Sequence, residues 1–568
     1  MKRRRRDSPA STMLELWRPP QGAGEPVGCL TTTYTFHPRL FDEQCLARFL
    51  EIDSEPNRED LPFLLERERR LEGVYAGVLV DHTQAGVEHS LRWNVLPVRI
   101  HAGRQHAKLS LLAWTRHVRV VVASANLTEP GYRSNYEVAA AVDLTPEAGD
   151  QDFLADSIAF LRNLSGLVPG AAENQPHVAR ARVFLNDVER QCRKWQPLRR
   201  SAVRRRLTCT MPDVALLAAR SNLDEVFAAC RSRGASPNEV RVASPFFDAD
   251  DDTGRITAAL CKLMARGVTR EVSFAVPAVP DGKAVGVPRL AAPKALWLTP
   301  QRYQGEVHIE ILPQLDDAEN PRRWHAKMLA LVSERYTSLM VGSSNFTSAG
   351  MGVGHFRNAE ANLLTIVDLE ANSREPGQLD SVWPETETVD DPEAAEWLGA
   401  QPETEEEEAS ATPPVPDGFV SAIYRAGDKR SIHLTLAPDR LPDTWELHAC
   451  GSNARELLSD ASWREQGGAS KIEIAWAPLY PPARILVRWA SDGARLEAFM
   501  PLNVEDSRAL PPPSGMENMS ADDMLEILAA SDRGSPATPR SCSSGRYVGS
   551  LRGTAGARTE VQGRERFG

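Results

Sequence analysis

Hydrophobic and polar positions along this chain follow two periods. Over 41–50, 61–71, 153–164, 223–231 and 256–265 the apolar residues recur every three to four positions, which predicts helices with one buried face. Between them lie short runs rich in β-branched residues, at 74–80, 94–100, 118–123, 239–243, 271–276, 307–312 and 338–341, which predict buried strands. Strands alternating with helices predict two successive α/β segments. Beyond 417 the pattern changes to short alternating runs at 432–436, 445–449, 472–476, 485–489 and 496–500, separated by turn residues, and these predict a small β-sandwich over 418–505. Residues 1–28 read as a flexible arm. Residues 373–417, rich in Glu, Pro, Thr and Ser, read as an acidic disordered linker, because such a composition buries too little apolar surface to offset its ordering entropy. In 506–568, Ser520-Ala-Asp-Asp523 predicts the cap of a short helix running to 528, followed by a disordered Ser/Gly/Arg-rich tail.

Composition narrows the class. The 568 residues are 42% hydrophobic and 25% charged, ordinary globular values that exclude a wholly disordered or collagen-like chain. No window approaches the ~18 uninterrupted apolar residues of a membrane span, so no integral membrane association is expected. The basic start, Lys2 to Arg6, is followed by no apolar stretch and does not read as a secretory leader; it reads as a plain flexible start, or else as a nuclear-type signal or nucleic-acid arm. The eight cysteines (Cys29, Cys45, Cys192, Cys209, Cys230, Cys261, Cys450 and Cys542) form no C-x-x-C pair. Neither a zinc site nor a disulfide framework is expected, and a reducing cytoplasm fits best. The net charge of −11 divides unevenly: 371–418 holds fourteen acids against Arg374, a net of −13, and leaves about +2 for the remainder. Residues 180–206 hold ten Arg and Lys against Asp187 and Glu189. That stretch reads either as a track for a phosphate backbone or as a solvated helix and linker.

Two segments 219 residues apart repeat one another. The first is His106-Ala-Lys108, then Ser124-Ala-Asn126-Leu-Thr, then Asn135-Tyr-Glu137. The second is His325-Ala-Lys327, then Ser343-Ser-Asn345-Phe-Thr, then Asn358-Ala-Glu360. Lys and Asn are eighteen apart in both copies, whereas Asn and Glu are eleven and fifteen apart, so an insertion lies after the second Asn. On a strand, H-x-K would set imidazole and ammonium on one face, and a neighbouring strand ending at Ser-x-Asn would add hydroxyl and amide donors. Such a set suits a phosphodiester: Lys and Asn can donate to non-bridging oxygens, and a histidine can attack phosphorus or move a proton near neutral pH. A carboxylate, Glu137 or Glu360, can fix an imidazole tautomer as the orienting member of a triad does. One H-x-K means little; two copies with equal spacing and the same sequels point to a shared site. Tyr132 and Phe346, near the asparagines, are candidates to stack on a base or aromatic leaving group, the alternative being core packing. His101, His117 and His355 lack matched counterparts and read as structural. Ser244-Pro-Phe-Phe-Asp248 follows a strand and reads either as a lining for the second-half cleft or, the stronger reading, as a loop with buried aromatics.

The paired H-x-K…N motifs resemble the phospholipase D superfamily over roughly residues 30–372. The Asp of its common H-x-K-x-x-x-x-D form is replaced by Ala113 and Val332, which is similar to the tyrosyl-DNA phosphodiesterase branch; the Asn-x-Glu sequel looks more like bacterial phospholipase D-type proteins. The resemblance implies two pseudo-symmetric α/β halves, 29–200 and 201–372, sharing one central site. It also implies a metal-independent phosphodiesterase with a phosphohistidine intermediate and no cofactor. His106 would be the nucleophile and His325 the general acid/base, an order the sequence alone leaves reversible. Lys108, Lys327, Asn126 and Asn345 would hold the phosphate; Ser124 and Ser343 could add donors, the alternative being that they only satisfy strand-end backbone groups; and Glu137 and Glu360 would orient the histidines, the alternative being ordinary surface salt bridges. Nucleic acid is the expected substrate, by end processing or as a nuclease, and the β-sandwich is a candidate surface for a protein partner. The alternatives are a lipid phosphodiesterase and a non-catalytic phosphate-binding module.

Overall fold

The computed structural model describes residues 12–55, 61–197, 202–214, 220–279, 287–313, 315–317, 320–369, 375–401, 413–426, 429–451, 454–491, 493–512, 519–520, 522–525 and 527. Residues up to 518 form one compact unit, and 519–568 a second. The Arg-rich start and the tail beyond 527 lie outside the described residues, as do residues 521, 526 and 528 of the predicted end helix. Within the second unit, 522–525 is helical, and Ser520 and Asp523 exchange backbone-to-side-chain bonds as a cap.

The fold is α/β with several sheets. A first sheet holds β1 (Pro26–Thr33), β2 (Tyr75–Asp81), β3 (Asn94–Val98), β4 (Leu109–Trp114), β5 (His117–Ala123) and β6 (Ala139–Leu144) in the order β3-β2-β1-β4-β5-β6. The β1–β2 and β2–β3 pairs are parallel; β1–β4, β4–β5 and β5–β6 are antiparallel. Both faces are buried, which strand alternation delivers directly: Leu109, Leu111 and Ala113 enter one core, and Leu112 and Trp114 another. β1 was not predicted. Its run of Thr and Gly lacks an apolar signature, yet Thr31, Thr32 and Thr33 are buried because each hydroxyl is bonded. The arm expected at 1–28 is also corrected from residue 12 onward. Met13–Trp17 forms a helical turn, and Trp17 is buried edge-on against Phe41, with ring centres 5.9 Å apart; burying an indole of this size holds the segment down.

The second sheet holds β7 (Val203–Thr210), β8 (Glu239–Ala243), β9 (Arg270–Val276), β11 (Gly305–Ile311), β14 (Met328–Val332), β15 (Tyr336–Gly342), β16 (Glu360–Asp368) and β17 (Glu387–Thr388). Its order is β17-β11-β9-β8-β14-β15-β16-β7. From β11 to β16 it follows the same plan as the first sheet, with two parallel pairs and then three antiparallel ones. Two short pairs stand outside it: β10 (Arg289–Leu290) with β18 (Glu396–Trp397), and β12 (Leu315–Asp317) with β13 (Asn320–Arg322). One hydrophobic core joins the two sheets, with Val120 and Val122 of β5 in the same cluster as Leu339 and Val341 of β15. The helices Gln151–Ser165 and Pro176–Cys192 belong to this core, while Asn222–Arg231 and Asp250–Leu263 cover the far face of the second sheet.

The linker expected at 373–417 is ordered where it is described. Glu375–Asp380 is helical, Thr388 pairs with Glu310 of β11, Trp397 pairs with Leu290 of β10, and Val389 and Ala395 are buried. Few apolar side chains suffice here because two existing strands supply backbone partners. Glu405 to Glu408 lie outside the described residues. Two four-stranded sheets follow. One is β23-β20-β19-β26, made of β19 (Phe419–Arg425), β20 (Ser431–Leu436), β23 (Lys471–Ala475) and β26 (Leu502–Val504). The other is β22-β21-β24-β25, made of β21 (Trp445–Ala449), β22 (Arg455–Ser459), β24 (Ile485–Ser491) and β25 (Ala494–Met500). Both contribute to one core with Trp445 and Trp476 at its centre. No helix among the described residues is long and apolar enough to cross a membrane.

Candidate active site

The repeated motifs sit at matching ends of the two sheets. His106 and Lys108 lie just before β4, and His325 and Lys327 just before β14, so H-x-K is at a strand entry rather than within a strand. Ser124 and Asn126 follow the end of β5, and Ser343 and Asn345 follow β15. Two backbone bridges fasten the copies together. His106 N donates to Ala359 O and Ala359 N to Arg104 O, at 2.9 and 2.8 Å; His325 N donates to Tyr136 O and Tyr136 N to Arg323 O, also at 2.9 and 2.8 Å. Each histidine is thereby tied to the residue preceding the other copy's glutamate.

The glutamates are exchanged between copies. His106 Nδ1 lies 2.9 and 3.1 Å from the two carboxylate oxygens of Glu360, and His325 Nδ1 lies 2.8 and 3.0 Å from those of Glu137. An Nδ1–H bonded to a carboxylate leaves the lone pair on Nε2. The carboxylates are held in turn. Ser124 Oγ donates to Glu137 and Ser343 Oγ to Glu360. Asn135 Nδ2 donates to Glu137 at 3.3 Å and Asn358 Nδ2 to Glu360 at 3.1 Å. The serines, expected as phosphate donors, spend their protons on the carboxylates and accept from Val138 N and Ala361 N; they set the glutamates in place.

The lysines close the set. Lys108 Nζ donates to His106 O at 2.8 Å, and Lys327 Nζ lies 5.9 Å from the centre of the Phe246 ring. Burial, together with Lys327 and Lys108, pushes the His325 pKa below the usual imidazole range against the pull of Glu137. Lys108, from the other copy, acts on this histidine, so one field covers both motifs. Burial works against ionisation of Glu137, but His325, Lys327 and Ser124 outweigh it and hold the carboxyl below its usual range. Asn126 and Asn345 are buried. The Asn126 amide oxygen has no hydrogen-bond partner among the described residues, which leaves that amide's orientation to be set by what enters the site.

Two expected contacts belong elsewhere. The Tyr132 hydroxyl accepts from Trp17 Nε1 at 3.3 Å, and its ring packs on the core beneath the N-terminal turn. Phe346 is fully buried against Phe247 and Phe274. The rings that do face the histidines are Tyr34, 5.9 Å from His106, and Phe246, 6.0 Å from His325. His101 pairs with Asp213 and His117 with Asp143.

Further residues serve the site, among them Ser244 of the segment that read either as a lining for the second-half cleft or as a loop with buried aromatics. Thr33 and Ser244 make matching bonds, accepting from Leu127 N and Phe346 N at 3.0 and 3.1 Å and so clamping the residue after each asparagine. Gly131 and Gly350 each stand five residues after the asparagine, where a Cβ would collide with the Asn126 or Asn345 carbonyl oxygen. That equal spacing was a readable signal, as was the Asn two places before each glutamate. The anchors flanking the histidines differ between copies and gave none: Gln105 is buried and bonded to Thr33 O, Leu79 O and Ala107 O, whereas Trp324 stacks on Tyr136 with ring centres 4.3 Å apart. Among the described residues, no cluster of three or more His, Cys, Asp or Glu is arranged to hold a metal ion.

Comparison with solved structures gives matches to yeast tyrosyl-DNA phosphodiesterase at 10% identity and a TM-score of 0.35, over 61% of this chain and 84% of that one. A mutant of the same enzyme matches at 8% identity and a TM-score of 0.38, over 62% and 84%. Polyphosphate kinase from Porphyromonas gingivalis matches at 11% and 0.35, over 65% of this chain and 44% of the kinase, so this chain spans less than half of it. Tyrosyl-DNA phosphodiesterase is the branch that the paired H-x-K…N motifs resemble. No family model and no curated protein matches the sequence.

Proposed function

We propose that this chain is a phosphodiesterase that works through a phosphohistidine, with nucleic acid as its substrate class. Its two α/β segments would act as pseudo-symmetric halves of one catalytic unit. The observation that carries this reading is the exchange of glutamates: two imidazoles, each oriented through Nδ1 by the other copy's carboxylate, share one field with Lys108 and Lys327. The side chain of His106 is 3% exposed and that of His325 15% exposed. The enclosed imidazole suits the covalent step, and the open one suits exchange of protons with a leaving group and water.

In the proposed cycle His106 Nε2 donates its lone pair to phosphorus as the P–O bond breaks. The departing oxygen takes a proton from His325 Nε2. Water then attacks phosphorus, gives its proton to His325 Nε2, and the P–N pair returns to His106. Lys108, Lys327 and the amides of Asn126 and Asn345 stabilise the crowded phosphoryl oxygens. His325 enters the cycle protonated and is returned to that form by the attacking water; an anionic diester beside the lysines offsets the charge that lowers its pKa and so favours the proton-donating form. No step calls on a metal ion.

The test uses a labelled oligonucleotide and bis-p-nitrophenyl phosphate, both in EDTA, with acid-quenched samples probed for phosphohistidine. The intact protein is expected to turn over both. His106→Asn and His325→Asn should each lose roughly 10²-fold or more, with no trapped adduct in the first. Unchanged rates in both variants would sink the mechanism.

A further inference from the structure

The two copies share one more residue that the proposed cycle does not use. Two places before each histidine stands an arginine, Arg104 and Arg323, so the repeat is R-x-H-A-K in full. Both side chains are exposed although the motif that follows is buried or nearly so. Both backbones are fixed, because Arg104 O and Arg323 O are the acceptors in the two bridges between copies. The point from which each arginine side chain springs is thus set by the same bonds that set the histidines.

Arg104 is placed more closely still. Its guanidinium carbon lies 5.5 Å from the centre of the Tyr34 ring, and that ring lies 5.9 Å from His106. Arg323 occupies the matched place on the other side, next to the Trp324–Tyr136 stack that borders His325. Two residues of extended chain span about 6.6 Å, the order of distance that separates neighbouring phosphates along a strand. A guanidinium is also the side chain best shaped to take a phosphate with two parallel donors. Along the chain each arginine stands two residues before its histidine, and each lysine two residues after it.

We infer that Arg104 and Arg323 hold the phosphates that flank the scissile one, one on each side, so that the substrate is a nucleic-acid strand continuing in both directions through the site. This rests on the phosphodiesterase reading and sharpens it: a two-sided grip fits internal cleavage rather than removal of a terminal group.

The experiment measures kcat/KM for a single-stranded oligonucleotide over a range of salt, always in EDTA, with bis-p-nitrophenyl phosphate as a substrate that has no flanking phosphates. Arg104→Gln and Arg323→Gln are each expected to lower the oligonucleotide value at least tenfold and to make the log–log salt slope shallower by about one. Turnover of the small diester should stay within about threefold. On a strand whose scissile phosphate is terminal, only one of the two variants should lose rate. Equal loss on both kinds of strand, or parallel loss on the small diester, would overturn the two-sided assignment, as would no loss on the oligonucleotide. An intact protein that turns over neither substrate would instead bring down the phosphodiesterase reading.

Discussion

At the scale of single residues, the exchange of glutamates decides how the histidines titrate. Glu137 pulls the His325 pKa up while burial, Lys327 and Lys108 push it down, and the push prevails. If His325 is the acid, its protonated form is lost as pH rises through a pKa below 6.5, so kcat/KM should fall along that limb. Glu137→Gln removes the upward pull and should shift the limb to lower pH, while Lys327→Met should shift it up; pH–rate profiles of the three proteins check both. A limb that rises with pH instead would exchange the roles of His325 and His106. The sequence made the His, Lys and Asn of each copy legible because their spacing is equal. It could not show which glutamate serves which histidine, since 254 and 188 residues separate the partners and only the packing of one copy on the other joins them. The choice between donor and strand-end partner for Ser124 and Ser343 stayed open for the same reason: a hydroxyl's partner depends on tertiary placement that spacing does not report.

At the scale of elements, the edges of the sheets explain what the hydrophobic pattern missed. β3 borders the first sheet, and its free edge is met by a side chain: Asn503 Nδ2 donates to Val95 O at 2.8 Å, and its Oδ1 accepts from Val95 N at 3.2 Å. One amide thus completes both backbone groups of an edge residue, as a further strand would. Asn503→Ala leaves both groups buried and unpaired, at a cost of about 1–3 kcal/mol for each group left unsatisfied. Urea midpoints should fall accordingly, and light scattering should rise near the midpoint as the bare edge finds other chains. A midpoint equal to that of the intact protein would show that water satisfies the edge. Short pairings escaped the sequence reading in the same manner. Thr388 and Trp397 lie in an acidic stretch with no apolar period, and they are ordered by strands that come from elsewhere in the chain.

At the scale of the whole molecule, the β-sandwich is joined to the first sheet by polar bonds rather than by a tether alone. Arg92 donates to Ser507 O and Pro511 O at 2.6 and 2.8 Å, Arg180 to Val504 O at 2.6 Å, and Arg484 to Gly86 O at 3.0 Å. Arg180 begins the basic stretch that read either as a phosphate track or as a solvated helix and linker. There Arg182 also bonds a carbonyl, and Arg190 and Arg193 pair with Asp187 and Glu189, so much of that charge is spent within the protein. Calorimetry should accordingly show the sandwich and the α/β segments melting in one transition; two separated peaks would mean that these bonds do not couple them. The crossed pairs of His106 with Glu360 and His325 with Glu137 have a consequence for concentration. A chain with a single copy would hold two broken pairs and would complete a site only face to face with a second identical chain. With both copies on one chain the pairs close within a single molecule at any dilution, each side keeping its own anchor, the buried amide of Gln105 on one and the Trp324–Tyr136 stack on the other.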